Sequence, residues 1–408
     1  MKKTVALLSS VLMMGSLLSG CKGNTPSGSV AGSTSGKKTN IRLQLTPSRP
    51  SDDLTATTAA LKPVLEKYDT MHTYSISTGT NFATDGTALA AGTIDASFIT
   101  ASVFATTSIA KKDKIDMLLR ATRSSFKVVQ ENYDASESDN AKKYTNENAR
   151  KLQAEKMNDL SYGYHGEAQG TASYYYAECI INRANITKFD TNGDGKIDLF
   201  ELAGHNVALQ GAGSPAGYSY PLYAFHNETN GGKWADGMKK VEANADATKG
   251  EFVAVSGLNY ATALQKLMAN DGSVDAVWSY MDFRNDNAGK FDESKNDPQW
   301  LYKNTYTVAL TQGILNDGLA VRADLPEADK KAIADAFMAI MQSGDPRDNG
   351  EGTEADKDSN GCYDVNGDGK ASDANAVFRL YSHTGYEAAK NSDYDDEIEF
   401  QKWAANNL

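Results

Sequence analysis

The chain has 408 residues, with 53 acidic and 41 basic side chains and a formal net charge of −12 at pH 7. That balance argues against nucleic acid as a partner, because gripping a phosphate backbone takes concentrated positive charge. Once the N-terminal segment is set aside, roughly 370 residues remain, too many for one ordinary domain and suited to two.

In chain order, Lys2 and Lys3 precede an apolar stretch from Val5 to Leu18 that ends "LLSGC". A charged start, a short apolar run and small residues at its end predict a signal peptide over 1–20 rather than a membrane span. The Cys after Ser19 and Gly20 resembles the bacterial lipobox, which implies a lipid on Cys21 and attachment to the extracytoplasmic face of the cell membrane. The Gly-, Ser-, Thr- and Lys-rich residues 21–38 read as a flexible tether. "NIRLQL" then predicts a strand. A helix opens near Asp53 with Leu61, Val64, Leu65 and Tyr68 on one face, and "TYSIST", a small helix through Leu89 and "IDASFIT" follow. This βαβαβ order with short connections predicts a parallel sheet covered by helices over 39–130. Residues 131–170, rich in Asn, Glu, Lys and Tyr, read as an insertion in which "NENARKLQAEKMNDL" forms a surface helix.

A second α/β unit is expected over 171–304. "YYYAECIIN" reads as a strand, and Cys179 within it as a buried thiol. "FDTNGDGKIDLFEL" follows. Asp190, Asn192, Asp194 and Asp198 present oxygen side chains, Lys196 a backbone carbonyl, and Glu201 the closing carboxylate, with Gly195 at the sharp turn and Ile197 as the apolar anchor. This is the EF-hand spacing, and a hard cation that wants six to eight oxygens makes calcium the expected ion. An Asx-rich turn without metal is the competing reading. The strand "HNVALQG" close behind suggests strand-like flanks, so calcium here should stabilise rather than switch. "GSPAGYSYPLYAF" turns into a helix, "GEFVAVSG" and "VDAVWSY" are strands, and "NYATALQKLMAND" is a helix.

From 305 to 408 the chain is expected to return to the first unit. "YTVALTQ" and "DGLAVRAD" read as strands, and Asp324, Pro326 and Glu327 predict a capped helix start. A second acidic run, "DVNGDGKASDAN", repeats the first half of the calcium pattern with Asp364, Asn366, Asp368, Lys370 and Ser372, inside an insertion over 347–375 that also contains Cys362. It resembles the loop of a dockerin repeat.

Five stretches in order, "IRLQLTPSRPSDDL", "ALAAGTIDASFITASVFA", "GSPAGYSYP", "NYATALQKLMANDGSVDAVWSY" and "NDGLAVRADLPEADKKAIADAF", resemble the substrate-binding lipoproteins of bacterial ABC importers, in particular the phosphonate-, phosphite- and phosphate-binding group. The resemblance implies an α/β, two-lobed periplasmic-binding-protein-like fold of type 2, with a cleft between the lobes, two hinge crossings and closure on the ligand. Open α/β sheets place ligands at the carboxyl ends of their strands, and helix N-termini bind anions through unpaired N–H groups. On that basis the candidate ligand residues are Thr46 and Ser48 after the first strand, Thr100, Ala101 and Ser102 in "FITASVF", and Ser214, Ala216, Gly217 and Tyr218 in the turn. Asn259 and Asp282 complete the set. At this turn the family usually carries Ser-Thr-Ser-Gly, whereas this chain has Ser214-Pro215-Ala216-Gly217, so simple phosphonates should bind less tightly.

The expected function is a solute-binding lipoprotein of an ABC importer for a phosphonate or related small oxyanion, with a permease partner, structural calcium and no enzymatic activity. The alternative is an extracellular calcium-dependent interaction lipoprotein on the same scaffold.

Overall fold

The structure, a computed structural model, describes residues 38–46, 52–130, 147–162, 168–211, 214–228, 234, 237–342 and 383–408. Cys21, Ser48 and the whole second acidic run, Asp364, Asn366, Asp368, Lys370 and Ser372 included, lie outside the described residues, as does Cys362.

Strand β1 (Thr39–Leu45) buries Ile41, Leu43 and Leu45 on alternate positions. Helix α1 (Asp52–Tyr68) covers that face with Leu61, Val64 and Leu65, at the spacing that puts side chains on one helix stripe. Next come β2 (His72–Thr78), α2 (Phe82–Ala90), β3 (Ala96–Ile99), α3 (Ala101–Ala110) and the long β4 (Ile115–Phe126). β1 pairs in parallel with both β2 and β3, the parallel sheet expected from the βαβαβ order. Asp95 locks this region: its carboxylate takes two hydrogen bonds from the Arg42 guanidinium, at 2.8 and 2.7 Å, and one from Arg322 at 2.7 Å.

Helix α4 (Glu147–Asn158) is less of a surface helix than its polar sequence suggests. Ala154 and Met157 are buried, and Asn158 bonds both the N–H and the carbonyl of Thr307. The chain then passes through β5 (Ala168–Ala172), which pairs with the far end of β4, and β6 (Tyr174–Tyr175) into β7 (Ala177–Asn182). The second sheet adds β8 (Asn206–Ala208), β9 (Lys239–Val241), β10 (Glu251–Val255), β11 (Ala276–Tyr280) and β12 (Thr305–Leu310), in the order β12-β7-β11-β8-β10-β9. Helices α5 (Tyr220–Asn227) and α6 (Tyr260–Ala269) belong to this half. Cys179 is a buried free thiol within β7. β13 (Ile314–Leu315) leads into β14 (Gly318–Arg322), which inserts antiparallel between β3 and β4 of the first sheet. Helix α7 (Glu327–Met341) sends Ile333, Phe337 and Ile340 into the core beside β1 and α1. β15 (Gly385–Ala388) edges the first sheet, and α8 (Asp395–Asn407) ends the chain.

The result is the two-lobed α/β fold of the periplasmic binding proteins. Two crossings join the lobes, around Ser173–Tyr176 and Thr311–Asp317, and they pair with each other through β6 and β13. β12 belongs to the second sheet, so the return to the first lobe falls after Leu310 rather than at 305. α8 is not confined to the first lobe either: Phe400 lies in the second lobe's core against Tyr220, while Tyr394 just ahead of the helix packs on Phe104 of the first.

The start of α7 differs from the capping box read in the sequence. Pro326 takes the cap position, Asp324 pairs with Arg322 at 2.8 Å, and Glu327 pairs with Lys330 at 2.7 Å. Both carboxylates find cations nearby, and these compete with backbone N–H groups for the same oxygens.

Candidate functional site: an interlobe cleft and an acidic loop

β3 is followed by Thr100, whose hydroxyl caps α3 by accepting from the Val103 N–H at 3.3 Å and lies 3.1 Å from the Ser102 hydroxyl. The first N–H groups of a helix have no intrahelical acceptor, so Ala101 and Ser102 bring donors and partial positive charge to this point. On the other lobe Ser214 opens a widened turn, Pro215–Ser219, that continues into α5. Its Oγ accepts from the Gly217 N–H at 3.0 Å and lies 2.8 Å from the Tyr260 hydroxyl. Gly217 is required by close approach: a Cβ there would sit 2.3 Å from Gln210 Cγ and 2.8 Å from the Tyr260 hydroxyl.

Two cavities adjoin between these helix starts. The smaller, about 100 Å³, is lined by Thr100, Ala101, Ser102, Arg123, Pro215, Tyr220, Asp317 and Glu397 among others. The larger, about 470 Å³, is bounded by Ser214, Pro215, Ala216, Arg123, Tyr175, Tyr260, Tyr280, Asp282 and Asp286 among others. Arg123, Tyr175, Pro215 and Asn316 line both, so the two form one cleft.

Charge in the cleft is mixed. Arg123 forms a short ion pair with Asp317, whose other oxygen lies 2.8 Å from buried His383 Nε2. Burial alone would raise the Asp317 pKa, but His383 and Arg123 hold it below the usual carboxylate range. Glu397, on α8, goes the other way. Burial pushes its pKa up, against the opposing hydrogen bonds from Tyr220 and Gln401. A carboxyl that resists ionisation repels an incoming anion less. Asp282 sits in a buried cluster in which the Arg284 guanidinium also reaches Glu178 at 3.0 Å and the Thr305 hydroxyl at 3.1 Å.

Of the residues picked from sequence, Thr100, Ala101, Ser102, Ser214, Ala216 and Asp282 line this cleft. Gly217 lines neither cavity, but a Cβ on it would meet Tyr260, which does. Others have different employment. Thr46 is buried at the end of β1 with its hydroxyl on Asp85, which also binds Gln44 and Ser97. Asn259 is exposed and caps α6 by accepting from the Thr262 N–H at 2.8 Å. The Tyr218 hydroxyl accepts from Lys240 at 2.8 Å, with the ammonium 4.8 Å from its ring. None of these three lines either cavity. Arg123, Tyr175, Tyr260, Tyr280, Asp286, Asp317 and Glu397 escaped the sequence reading. They come from six separated stretches, and only the fold assembles them.

The first acidic loop, Asp190 to Glu201, is tightly wound. Asp190 accepts from the N–H groups of Gly193, Asp194 and Gly195 at 2.7–3.1 Å, and Asp194 Oδ1 accepts from Lys196 N–H at 2.8 Å. Gly193 and Gly195 have φ of 75° and 80°, a region that favours glycine. Glu201 is buried and accepts from the backbone N–H groups of Thr191, Asn192 and Asp198. Ile197 and Phe189 anchor the loop in the second lobe's core. Each flank is a single helical turn, Ile186–Phe189 and Leu199–Leu202, rather than the strands expected. Among the described residues, no three His, Cys, Asp or Glu side chains converge to hold a metal ion.

A two-lobed α/β protein with facing helix starts and an arginine in its interlobe cleft is, as a class, a solute-binding protein. Residues 167–394 match the family described as "ABC transporter, phosphonate, periplasmic substrate-binding protein", and the chain belongs to that family. Among solved structures, Mh-p37 of Mycoplasma hyorhinis superposes with a TM-score of 0.53 at 11% identity, over 88% of this chain and 99% of that one. XAC2383 of Xanthomonas citri bound to ATP gives 0.50 at 11% identity, over 91% and 100%. PhnD1 of Prochlorococcus marinus in complex with methylphosphonate gives 0.43 at 10%, over 90% and 99%. At such identities the likeness concerns the fold. No curated protein shows significant sequence similarity to this chain. No described helix is long and apolar enough to cross a membrane.

Proposed function

We propose that this protein is the membrane-tethered solute-binding component of an ABC importer, and that it captures a solute bearing a phosphonyl, phosphoryl or related oxyanion between its lobes for delivery to a permease. The carrying observation is the convergence of the α3 start, the Ser214–Ala216 turn and Arg123 on one cleft. Helix N-termini and a guanidinium are the donors that suit an oxyanion. Pro215 carries no N–H, and Ala216 no hydroxyl, so the second lobe offers fewer donors than a hydroxyl-rich turn. Each missing hydrogen bond to a charged group costs about 1.5–3 kcal/mol. Calorimetric titration with phosphate, phosphite and methylphosphonate tests the reading, and Arg123→Gln should weaken whatever anion binds. If no oxyanion binds to the wild type or to the Pro215→Thr, Ala216→Ser variant, the reading fails.

The same reading places a lipid on Cys21, which a detergent partition of wild type against Cys21→Ala checks. It also assigns calcium to the Asp190–Glu201 loop. Support comes from the spacing, the left-handed glycines and the clustered negative charge: burial, then Glu201 and Asp194, push the Asp198 pKa up, with Lys151 opposing. A cation relieves that repulsion, with Glu201 exchanging backbone donors for the ion. The ligand set would be Asp190, Asn192, Asp194, the Lys196 carbonyl, Asp198 and Glu201.

A further inference from the structure

Most of the cleft is larger than an oxyanion needs. The 100 Å³ pocket at Thr100–Ser102 and Arg123 has room for a tetrahedral anion head, and the adjoining 470 Å³ cavity falls in the range of about 300–1,000 Å³ typical of sites for organic ligands. Its walls are aromatic. Tyr260 and Tyr280 meet with ring centroids 5.2 Å apart and planes at 88°, so they form a right-angled corner. Tyr175 and Phe126, both half-buried, extend the wall. The corner is held rigid from behind, because the Tyr260 hydroxyl is bonded to Ser214 and the Tyr280 hydroxyl to Asp286 at 2.5 Å. Exposed aromatic surface inside a cleft costs hydration free energy unless something covers it. A flat ring entering the corner would lie face-on to one tyrosine and edge-on to the other, both favoured contacts. Asp286 is exposed at the rim and its Oδ2 accepts from the Tyr280 hydroxyl, and a carboxylate has lone pairs enough to accept as well from an N–H on that ring's substituent.

We propose that the cleft has a second subsite, at Tyr260, Tyr280 and Asp286, and that the solute is a phosphonate or phosphate monoester whose organic part is a planar ring carrying a cationic or N–H donor. The inference rests on the oxyanion reading above and narrows it from a small anion to a two-part ligand. The lost donors at Pro215 and Ala216 fit the same picture, since affinity moves from the anion head to the ring.

Calorimetry of the full mature chain with methylphosphonate, benzylphosphonate, 4-(aminomethyl)benzylphosphonate and benzylamine separates the possibilities. The expected Kd falls along the first three, with at least about tenfold between methylphosphonate and the aminomethyl compound. Tyr280→Leu and, independently, the exposed Asp286→Asn should shrink that ratio, whereas Arg123→Gln should weaken all three phosphonates and leave the ratio in place. Thermal melts confirm that each variant is folded. If the three phosphonates bind with Kd values within twofold of one another, the ring subsite is wrong and the oxyanion reading survives. If benzylamine binds as tightly as its phosphonate, the two-part ligand is wrong. If none of the phosphonates binds, the two-part ligand is wrong, and phosphate and phosphite titrated on the same protein decide whether the oxyanion reading falls with it.

Discussion

Arg284 illustrates how much one buried side chain can decide. It is fully enclosed, with Asp282, Glu178 and Thr305 as partners and the Tyr302 ring 4.5 Å away. Replacing it with Met strands two buried carboxylates, and breaking such a pair typically costs about 3–5 kcal/mol. Arg284→Met should therefore lower the urea midpoint sharply, and an unchanged midpoint would show that this cluster does not hold the fold together. Glu201→Gln sets an amide NH₂ against backbone N–H donors on one side of the loop, with a cost of about 1.5–3 kcal/mol. Chelating calcium should lower the melting temperature of the wild type and leave that of the variant nearly unmoved. A wild type indifferent to chelation would remove calcium from the account. Glu397 gives a pH prediction with a definite sign. Its pKa is raised on folding, so the native state holds a proton that the unfolded chain releases, and stability falls as pH rises from about 4.5 through the native value. Glu397→Gln should make the protein relatively more stable at pH 7 and flatten that slope. Asp69, Asp95 and Asp317 are lowered instead, so their contribution is lost as pH drops below the ordinary carboxylate range.

Two elements have roles that their sequences understate. α8 begins "DDEIEF" and looks like a solvated tail, yet Phe400 is buried against Tyr220 and Tyr223, and Trp403 packs on Tyr223. Phe400→Ala should cost about 3–5 kcal/mol, as for other buried phenylalanines. Since the helix touches both lobes, the variant should also speed proteolysis near the C-terminus, which peptide mapping would read. α4 was legible as a helix from its composition, but its buried Ala154 and Met157 were not, because its apolar stripe is short. What buries it is β12, to which Asn158 is bonded at Thr307, and the core around Val129, Tyr302 and Leu310, mostly distant in sequence.

At the scale of the molecule, the proposed function requires the two lobes joined by the β6–β13 crossings to close on what they bind. Scattering from the liganded protein should give a smaller radius of gyration than from the free protein, and Arg123→Gln at the same phosphonate concentration should stay at the free value. An unchanged radius on saturation would mean that binding does not close the lobes. The periodicity of β1, α1 and α7 and the order of the βαβ units fixed the class of fold from the sequence, because those signals are local: alternate burial in strands, one stripe in helices. The acidic spacing from Asp190 to Glu201 was legible as a pattern, since it falls within one short run, but its helical-turn flanks were not. The helix starts at Thr100 and Ser214 were visible for the same reason. The cleft was not. Arg123, Tyr260, Tyr280, Asp317 and Glu397 carry no mark of their role in sequence, and Thr46, Asn259 and Tyr218 carried a misleading one. A hydroxyl or amide at a strand end can serve a ligand, a helix cap or a buried carboxylate equally well. Only the packing that brings Asp85, Thr262 or Lys240 within hydrogen-bond distance settles which.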